Sequence, residues 1–196
     1  MIPAACYPVY SALAARGAVP ASGYLVNVEA DCFRREPSLD PIRIQSFHMQ
    51  ELVHVGRPGD VLAFRDRWLE SGLALFSAWG LAGTIEPADD PFLGRAAVVM
   101  ARSQRQQALK FELQLPITDP SKPTACMSAN YHLDSFGRLA GLVFADGTPT
   151  HSVCAGFGFE RIALALFRHH GTTLEHWPGE VRDALSLAAP ETASRF

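Results

Sequence analysis

The chain has 196 residues, of which 48% are hydrophobic and 19% are charged, and its formal net charge is −3. This composition excludes disordered and fibrous proteins and allows one domain with a sizeable core. The acidic balance and the lack of a Lys/Arg-rich run disfavour a nucleic-acid partner. No apolar run approaches the length of a bilayer span, and the N-terminus lacks the features of a signal peptide, so we expect a cytoplasmic protein without membrane association.

The first half of the chain predicts two strands and a long helix. Residues 23–36 are rich in Val, Leu and aromatic residues and predict a strand, and residues 42–56 predict a second strand antiparallel to it, with a loop at 37–41 between them. Apolar residues at helical spacing predict a helix over 61–81, and Asp60 is a candidate cap for it.

The second half predicts mainly strands. A loop is expected at 89–94 and a glycine-rich start followed by an apolar helix at 154–171, ended by Gly171. A short helix is expected at 180–188. Further strands are predicted at 95–101, 109–116, 124–133 and 141–147. Strands outnumber helices and follow each other as in a meander, so we expect an α+β fold with a mostly antiparallel sheet flanked by helices.

The four cysteines are far apart and form no CxxC pair. They are Cys6, Cys32, Cys126 and Cys154. In a reducing compartment such cysteines are thiols, metal ligands or core residues rather than disulfides.

Polar and aromatic residues on the first two predicted strands suit a nucleotide. Alternation places Arg34 and Glu36 on one face of the first strand, and Arg43 and Phe47 on one face of the second. A guanidinium fork suits phosphate, a carboxylate can accept from the adenine amine, and an aromatic ring can stack on a base. The alternative interpretation of this unit is a polar sheet face with surface ion pairs.

The start of the last long predicted helix offers another cation. The glycines of residues 156–158 allow close approach of a ligand or backbone, and Arg161 follows in the first helical turn, where it suits a terminal phosphate. The alternative is an ordinary glycine-rich turn followed by a solvated arginine.

These segments carry a resemblance to known enzymes. Residues 33–36 (FRRE) resemble the FRxE core of motif 2 of class II aminoacyl-tRNA synthetases, and residues 156–167 (GFGFERIALALF) resemble motif 3. The blocks at 5–10, 32–47, 90–95, 109–116, 123–137 and 151–167 resemble the amino acid:carrier-protein ligases, which are truncated seryl-tRNA synthetase homologues without a tRNA-binding arm.

The resemblance implies a zinc site. Its ligands in the family correspond to Cys6, Glu51 and Cys154, and three protein ligands leave one position open for the α-amine of the substrate. Glu51 is therefore also a substrate-binding candidate. Without the resemblance, the two cysteines would be interpreted as small buried apolar residues.

The resemblance also implies an ATP site with Mg²⁺ bridging the phosphates. Arg34 would hold the α-phosphate and Arg161 the γ-phosphate, and both are candidate catalytic residues. Glu36 and Phe47 would bind adenine. The other residues expected at the nucleotide are Arg43, Ile44, Lys110, Ala125, Cys126, Met127 and Ser128. The histidines at 48, 54, 132 and 151 receive no role and are interpreted as structural.

The implied activity is ATP-dependent activation of a small amino acid, glycine or alanine with serine as a further candidate, and its transfer to the phosphopantetheine thiol of a carrier protein. No tRNA is expected. Residues 61–86 correspond to an inserted helical segment that docks the carrier. Motif 1, which builds the family's homodimer, is not recognised before Cys6, so the sheet is expected to be N-terminally incomplete and the dimer is doubtful. The alternative is a non-catalytic truncated homologue acting as a carrier-protein or zinc-binding module.

Overall fold

A single six-stranded sheet organises the protein, and in it every neighbouring pair of strands is antiparallel. The computed structural model describes residues 2–35, 38–90 and 97–187. The strands are β1 Tyr24–Phe33, β2 Ser46–Gly56, β3 Thr84–Pro87, β4 Lys110–Leu115, β5 Thr124–Tyr131 and β6 His151–Gly158. The helices are α1 Tyr7–Ala14, α2 Pro58–Ala78, α3 Ala97–Gln106, α4 Ser135–Ala140, α5 Phe159–His170 and α6 Gly179–Ala184, with a 3₁₀ turn at Leu174–His176. The expected α+β architecture is confirmed.

The strand order is β1-β2-β6-β5-β4-β3, so the expectation of a simple meander is wrong. Strand β6 is last in the chain but lies in the middle of the sheet, between β2 and β5. Residues 152–157 of this strand are buried in succession, as is usual for a strand covered on both faces. The glycines at 156 and 158 therefore belong to a central strand, not to a turn, and α5 begins directly after them at Phe159.

Two predicted strands are absent from the described structure. Residues 97–106 form helix α3, where Val98 and Val99 are exposed, so the strand expected at 95–101 is wrong. The helix-forming Arg and Gln residues that follow outweigh the β-branched pair. Residues 141–147 form only isolated bridges, Val143 with Pro149 and Phe144 with Val19.

The ends of the first two strands also differ from expectation. Strand β1 ends at Phe33 and β2 begins at Ser46, so Arg34 and Arg43 lie beyond the strands. The predicted shared strand face of Arg43 with Phe47 is therefore wrong, and Arg34 lies outside the strand on which its shared face with Glu36 was predicted. Glu36 itself lies outside the described residues.

Helices α2 and α5 cover the back face of the sheet. Helix α2 begins earlier than predicted, because Pro58 occupies its first turn and Arg57 is the N-cap, which leaves Asp60 inside the first turn. Phe76 packs in the main core, together with Leu113, Met127 and Phe157 of the sheet and Ile162 of α5. A side chain at Gly72 would collide with the sulfur of Met127, so the absence of a Cβ there lets α2 lie close to the sheet.

Helix α1, which was not predicted, covers part of the front face. Its buried residues Val9, Tyr10 and Leu13 pack against Val53 and Val55 of β2. Full burial of such a side chain contributes about 1.5–3 kcal/mol, which anchors the N-terminal segment on this face. Within the described ranges, no helix combines the length and apolar character needed to cross a membrane.

Candidate metal centre and nucleotide cleft

The register of the central strands places two of the predicted metal ligands side by side. Glu51 of β2 is paired with Gly156 of β6, and Cys154 is paired with Val53. Residues two apart on a strand share a face, so the side chains of Glu51 and Cys154 are diagonal neighbours on the front face. The position at 156 must stay small, since an added Cβ would lie 3.1 Å from Cε of Met49 and 3.2 Å from Cγ of Glu51.

The third predicted ligand comes from the start of α1. Cys6 is the N-cap residue of that helix and is buried in the cluster that contains Cys154. One ligand atom from each of Cys6, Glu51 and Cys154 lies within 4.8 Å of the other two. No other group of His, Cys, Asp or Glu among the described residues meets this criterion. Three residues distant in the sequence therefore converge at one point, as the resemblance implied.

The carboxylate of Glu51 is only partly satisfied. Oε1 accepts a hydrogen bond of 2.9 Å from the backbone N–H of Ala5, whereas Oε2 is buried without a hydrogen-bond partner. Buried polar atoms are nearly always paired, so an orphaned carboxylate oxygen beside two thiols indicates a missing partner, such as a bound cation.

The pKa shifts of the three residues also indicate a bound cation. Burial and the charge of Cys154 raise the pKa of Glu51 to about 7. Contact with Cys154, together with burial, raises the pKa of Cys6 far above its usual range. The hydrogen bond from Cys6 in turn lowers the pKa of Cys154, and hydrogen bonds from His132 and Asn130 lower it further. The three acids cannot all ionise in this buried spot unless a cation compensates their charge.

The donor set fits zinc. Two thiolates and one carboxylate are ligands that Zn²⁺ accepts, and three protein ligands are typical of a site with an open position. All four cysteines of the chain are buried free thiols. Cys32 and Cys126 lie apart from this cluster, in line with their interpretation as core or pocket residues.

A cleft of about 620 Å³ leads from the cluster towards the arginines. Its lining contains all three cluster residues. Of the residues predicted at the nucleotide, those that line it are Arg34, Ile44, Phe47, Lys110, Ala125, Cys126, Met127, Ser128 and Arg161. Arg43 is not among the lining residues, but the pKa of Arg161 is lowered by burial and also by the charges of Arg43 and Arg34. The predicted metal and phosphate residues thus share one cavity.

The two predicted catalytic arginines are held differently. Arg161, in the first turn of α5, donates from Nε to the carbonyl of Ile42 at 3.1 Å and from Nη1 to that of Ala125 at 3.0 Å. Arg34 is exposed, donates to the carbonyl of Pro3 at 3.1 Å, and lies 5.2 Å from the ring centre of Phe47. Arg161 is therefore fixed by the fold, whereas Arg34 lies at the cleft mouth with most of its donors free for a ligand.

Lys110 lies in the same cleft but is already paired. Its Nζ is 2.8 Å from Oδ1 of Asp90 and 3.1 Å from Oε1 of Glu112. Although burial opposes the charged form, these two carboxylates raise the pKa of Lys110 overall. The contact with ATP stays a prediction, and it would require the ammonium group to exchange at least one carboxylate for a phosphate.

Sequence reasoning did not connect the polar residues around Cys154 with its sulfur. Asn130 is paired with Cys154 across the sheet, and its side-chain N–H donates to the sulfur at 3.6 Å. Nε2 of His132 is 3.7 Å from the same sulfur. Asn130 and His132 are two residues apart at the end of β5, and this spacing indicates from sequence that they share a face of the sheet. Nothing in the sequence connects that face with Cys154.

The fold and this two-ended cleft define a catalytic domain like that of class II aminoacyl-tRNA synthetases. The chain superposes on M. kandleri seryl-tRNA synthetase, solved in complex with A. aeolicus tRNASec, with a TM-score of 0.77 and 20% identity over 94% of this chain and 37% of that one. Seryl-tRNA synthetase from Pyrococcus horikoshii complexed with ATP gives a TM-score of 0.69 and 16% identity over 95% of this chain and 43% of that one.

In sequence, the chain is a homologue of the amino acid–acyl-carrier-protein ligases. It is 50% identical to ligase 1 of Bradyrhizobium diazoefficiens over 185 residues, which are 94% of this chain and 57% of that protein. It is also 50% identical to ligase 2 of the same organism over 186 residues, covering 95% of this chain and 56% of that protein. The chain thus spans little more than half the length of these relatives. No protein-family model matches it.

Proposed function

We propose that this chain provides the adenylation site of an amino acid:carrier-protein ligase, which activates a small amino acid with ATP and transfers it to the phosphopantetheine thiol of a carrier protein. The observation that carries the proposal is the convergence of Cys6, Glu51 and Cys154 in the cleft that Arg34 and Arg161 also line. The 50% identity to named carrier-protein ligases supports the same activity.

The buried end of the cleft would select the amino acid. Cys6, Glu51 and Cys154 would hold Zn²⁺, and a zinc ion bound there supplies a Lewis-acid position for a free amine. Gly156 and Met49 restrict the space beside Glu51, since even a methyl group at 156 would be tight. Crowding of this kind favours glycine, alanine or serine over bulky amino acids, although a single methyl group is worth only about 1–3 kcal/mol in discrimination.

The arginine end would bind ATP with Mg²⁺. In the first step the amino-acid carboxylate attacks the α-phosphorus, and pyrophosphate leaves. Arg34 would stabilise charge at the α-phosphate, Arg161 would hold the γ-phosphate, and Phe47 would stack on adenine. Because both backbone acceptors of Arg161 are fixed, its guanidinium is preorganised for a leaving phosphate.

The second step needs a carrier protein at the cleft. The pantetheine thiolate attacks the acyl carbonyl of the adenylate, a thioester forms and AMP leaves. The docking surface is assigned to the outer side of residues 61–86, because the inner side of α2 is committed to the core. Arg65 is largely buried and paired with Asp66, whereas Arg67 is exposed on that outer side and suits an acidic carrier.

Amino-acid-dependent exchange of labelled pyrophosphate into ATP tests the proposal. The zinc-loaded chain, supplied with Mg²⁺ and glycine, alanine or serine, should support exchange, while leucine should not. An Arg34→Ala variant should lose the exchange and retain its zinc. A folded chain that carries zinc but exchanges no pyrophosphate with any of these amino acids would instead support the non-catalytic module.

A further inference from the structure

A network of hydrogen-bonding side chains adjoins the sulfur of Cys154, with His132 at its centre. His132 presents Nε2 to the sulfur at 3.7 Å. Its Nδ1 lies 3.2 Å from the hydroxyl of Tyr10 and 3.1 Å from that of Ser152. Both ring nitrogens are therefore engaged, and each faces a different kind of partner.

The imidazole ring is held firmly in this position. The backbone N–H of His132 donates to the carbonyl of Ser152 at 2.9 Å, which continues the pairing of β5 with β6. The ring of Phe136 packs edge-on against it at a centroid distance of 4.9 Å and also stacks on Tyr10 at 4.0 Å. Two aromatic rings and a backbone bond thus leave the imidazole little freedom to rotate.

The chemistry of the partners fixes which nitrogen carries the proton. A metal-bound Cys154 is a thiolate and can only accept, so Nε2 must be the N–H donor. Nδ1 is then the acceptor nitrogen, and its one lone pair can accept from the hydroxyl of Tyr10 or from that of Ser152, which both lie within hydrogen-bond distance.

A role as a fourth ligand fits the geometry less well. His132 is not part of the group whose ligand atoms all lie within 4.8 Å of one another, which holds Cys6, Glu51 and Cys154 alone. Its nitrogen reaches the sulfur of Cys154 but is too far from at least one of the other ligands to share one ion with all three. The open position therefore stays available to a substrate amine.

We propose that His132 is a positioning residue for the metal centre: its Nε2–H donates to the sulfur of Cys154, and Tyr10 and Ser152 hold the imidazole in the tautomer that this requires. The inference rests on the proposed zinc site. Groups that orient metal ligands in this way commonly change metal affinity about 10–100-fold when they are removed. Asn130 supplies a second donor to the same sulfur, so loss of His132 weakens the site without abolishing it.

Zinc affinity, measured by competition with a chromophoric chelator, tests the inference on His132→Phe and His132→Gln. The Phe variant keeps an aromatic ring but has no donor, and its affinity should fall about 10–100-fold. The Gln variant can place an amide N–H near the position of Nε2, and it should bind zinc within a few-fold of wild type. His169→Phe, at an exposed position of α5, is the matched control and should bind zinc normally.

Cobalt substitution gives a readout that a packing defect would not produce. A thiolate that loses an N–H donor becomes a stronger donor to the metal, so the sulfur-to-cobalt charge-transfer band of His132→Phe should move to lower energy. X-ray absorption of the wild-type zinc site should show two sulfurs and no imidazole. An imidazole in the first coordination shell would overturn the inference, and so would equal affinities and unshifted bands in wild type and His132→Phe.

A second variant covers the case in which His132→Phe does not fold, as judged by circular dichroism of the metal-free protein. Tyr10→Phe combined with Ser152→Ala leaves the imidazole in place but removes both hydroxyls that fix its tautomer. Zinc affinity should then fall several-fold, and an unchanged affinity would overturn the inference. If the wild-type chain itself bound no zinc, the proposed metal site would fail together with the role of His132, which distinguishes that outcome from a failure of His132 alone.

Discussion

The two ends of the cleft are built in opposite ways. At the buried end, Glu51 and Cys154 come from the neighbouring strands β2 and β6, and their separation is fixed by backbone register. At the open end, Arg34 lies just beyond a strand, and the side chains of Arg34 and Arg43 are exposed. The fold therefore presets the metal end before any ligand binds, while the exposed Arg34 can adapt to phosphates when they arrive.

The largest effect should follow from removing a metal ligand at the buried end of the cleft. Cys154→Ala removes one ligand and leaves Glu51 and Cys6 without a geometry for zinc, so zinc content should fall below about 0.1 per chain. Metal analysis of the purified protein measures this. Cys126→Ala is the matched control, since that cysteine is also buried and free but lies outside the cluster. Equal zinc in both variants would reject the cluster as the metal site.

Substitutions of the two arginines should separate an effect on catalysis from an effect on the free energy of unfolding. Arg161→Ala removes hydrogen bonds to two backbone carbonyls from a partly buried guanidinium, so it should cost about 1–3 kcal/mol of unfolding free energy as well as activity. Arg34→Ala should leave the free energy of unfolding within about 0.5 kcal/mol, because the side chain is exposed. Pyrophosphate exchange in Arg34→Ala should nevertheless fall about 100–1000-fold, as expected for loss of a group that stabilises transition-state charge.

Urea unfolding and pyrophosphate exchange on the same two variants make the comparison. If Arg34→Ala lost as much unfolding free energy as Arg161→Ala, Arg34 would be held by the fold as firmly as Arg161. If both variants kept full exchange, neither arginine would act on a phosphate.

A smaller effect is expected at the surface that would receive the carrier. Arg67→Glu reverses an exposed charge on α2, away from both ends of the cleft, so pyrophosphate exchange should not change. The rate of transfer to an acidic carrier protein should fall about 10-fold at low salt and less at high salt, as for loss of electrostatic steering. Arg168→Glu, an exposed reversal on α5, is the control; equal losses in both variants would mean that α2 is not the docking surface.

The contrast between the two ends of the cleft also explains which features could be predicted from the sequence. The residue pattern of 42–56 predicted β2, and the glycine-to-helix pattern predicted α5 and Arg161, whereas Glu51 was singled out only by the resemblance. The middle position of β6 was not predictable from pattern, because Cys154 and Gly156 pair with a strand about 100 residues earlier. The convergence of Cys6 on them depends on α1, which has no strong periodicity, so the ligand set came from resemblance alone.

The network around Cys154 was hidden for the same reason. Tyr10 meets His132 through packing between segments 122 residues apart, and Ser152 meets it across the β5–β6 pair at a separation of 20 residues. Sequence pattern assigned His132 to structure because a lone histidine carries no directional information, whereas the folded chain gives each of its nitrogens a partner.

The smallest expected effect concerns Lys110, which lies between the two ends and is shared by Asp90 and Glu112. Although partial burial opposes it, the charge of Lys110 holds the pKa of Asp90 below its usual range. A carboxyl group with a lowered folded-state pKa stabilises the fold above its unfolded pKa, and that stabilisation is lost as the pH falls through the folded value. The contribution of Asp90 should therefore be complete at neutral pH and disappear in the acid range, below about pH 4.

Asp90→Asn removes this contribution, so urea unfolding of the variant should lose less stability than wild type between pH 6 and the acid range. Parallel curves for the two proteins would show that the ion pair does not stabilise the fold.

The same variant also tests whether Lys110 contacts ATP. With one carboxylate neutralised, Lys110 has an ammonium group less committed to the fold and should lower the KM for ATP a few-fold if it reaches a phosphate. An unchanged or higher KM would mean that Lys110 forms a structural ion pair and does not contact ATP.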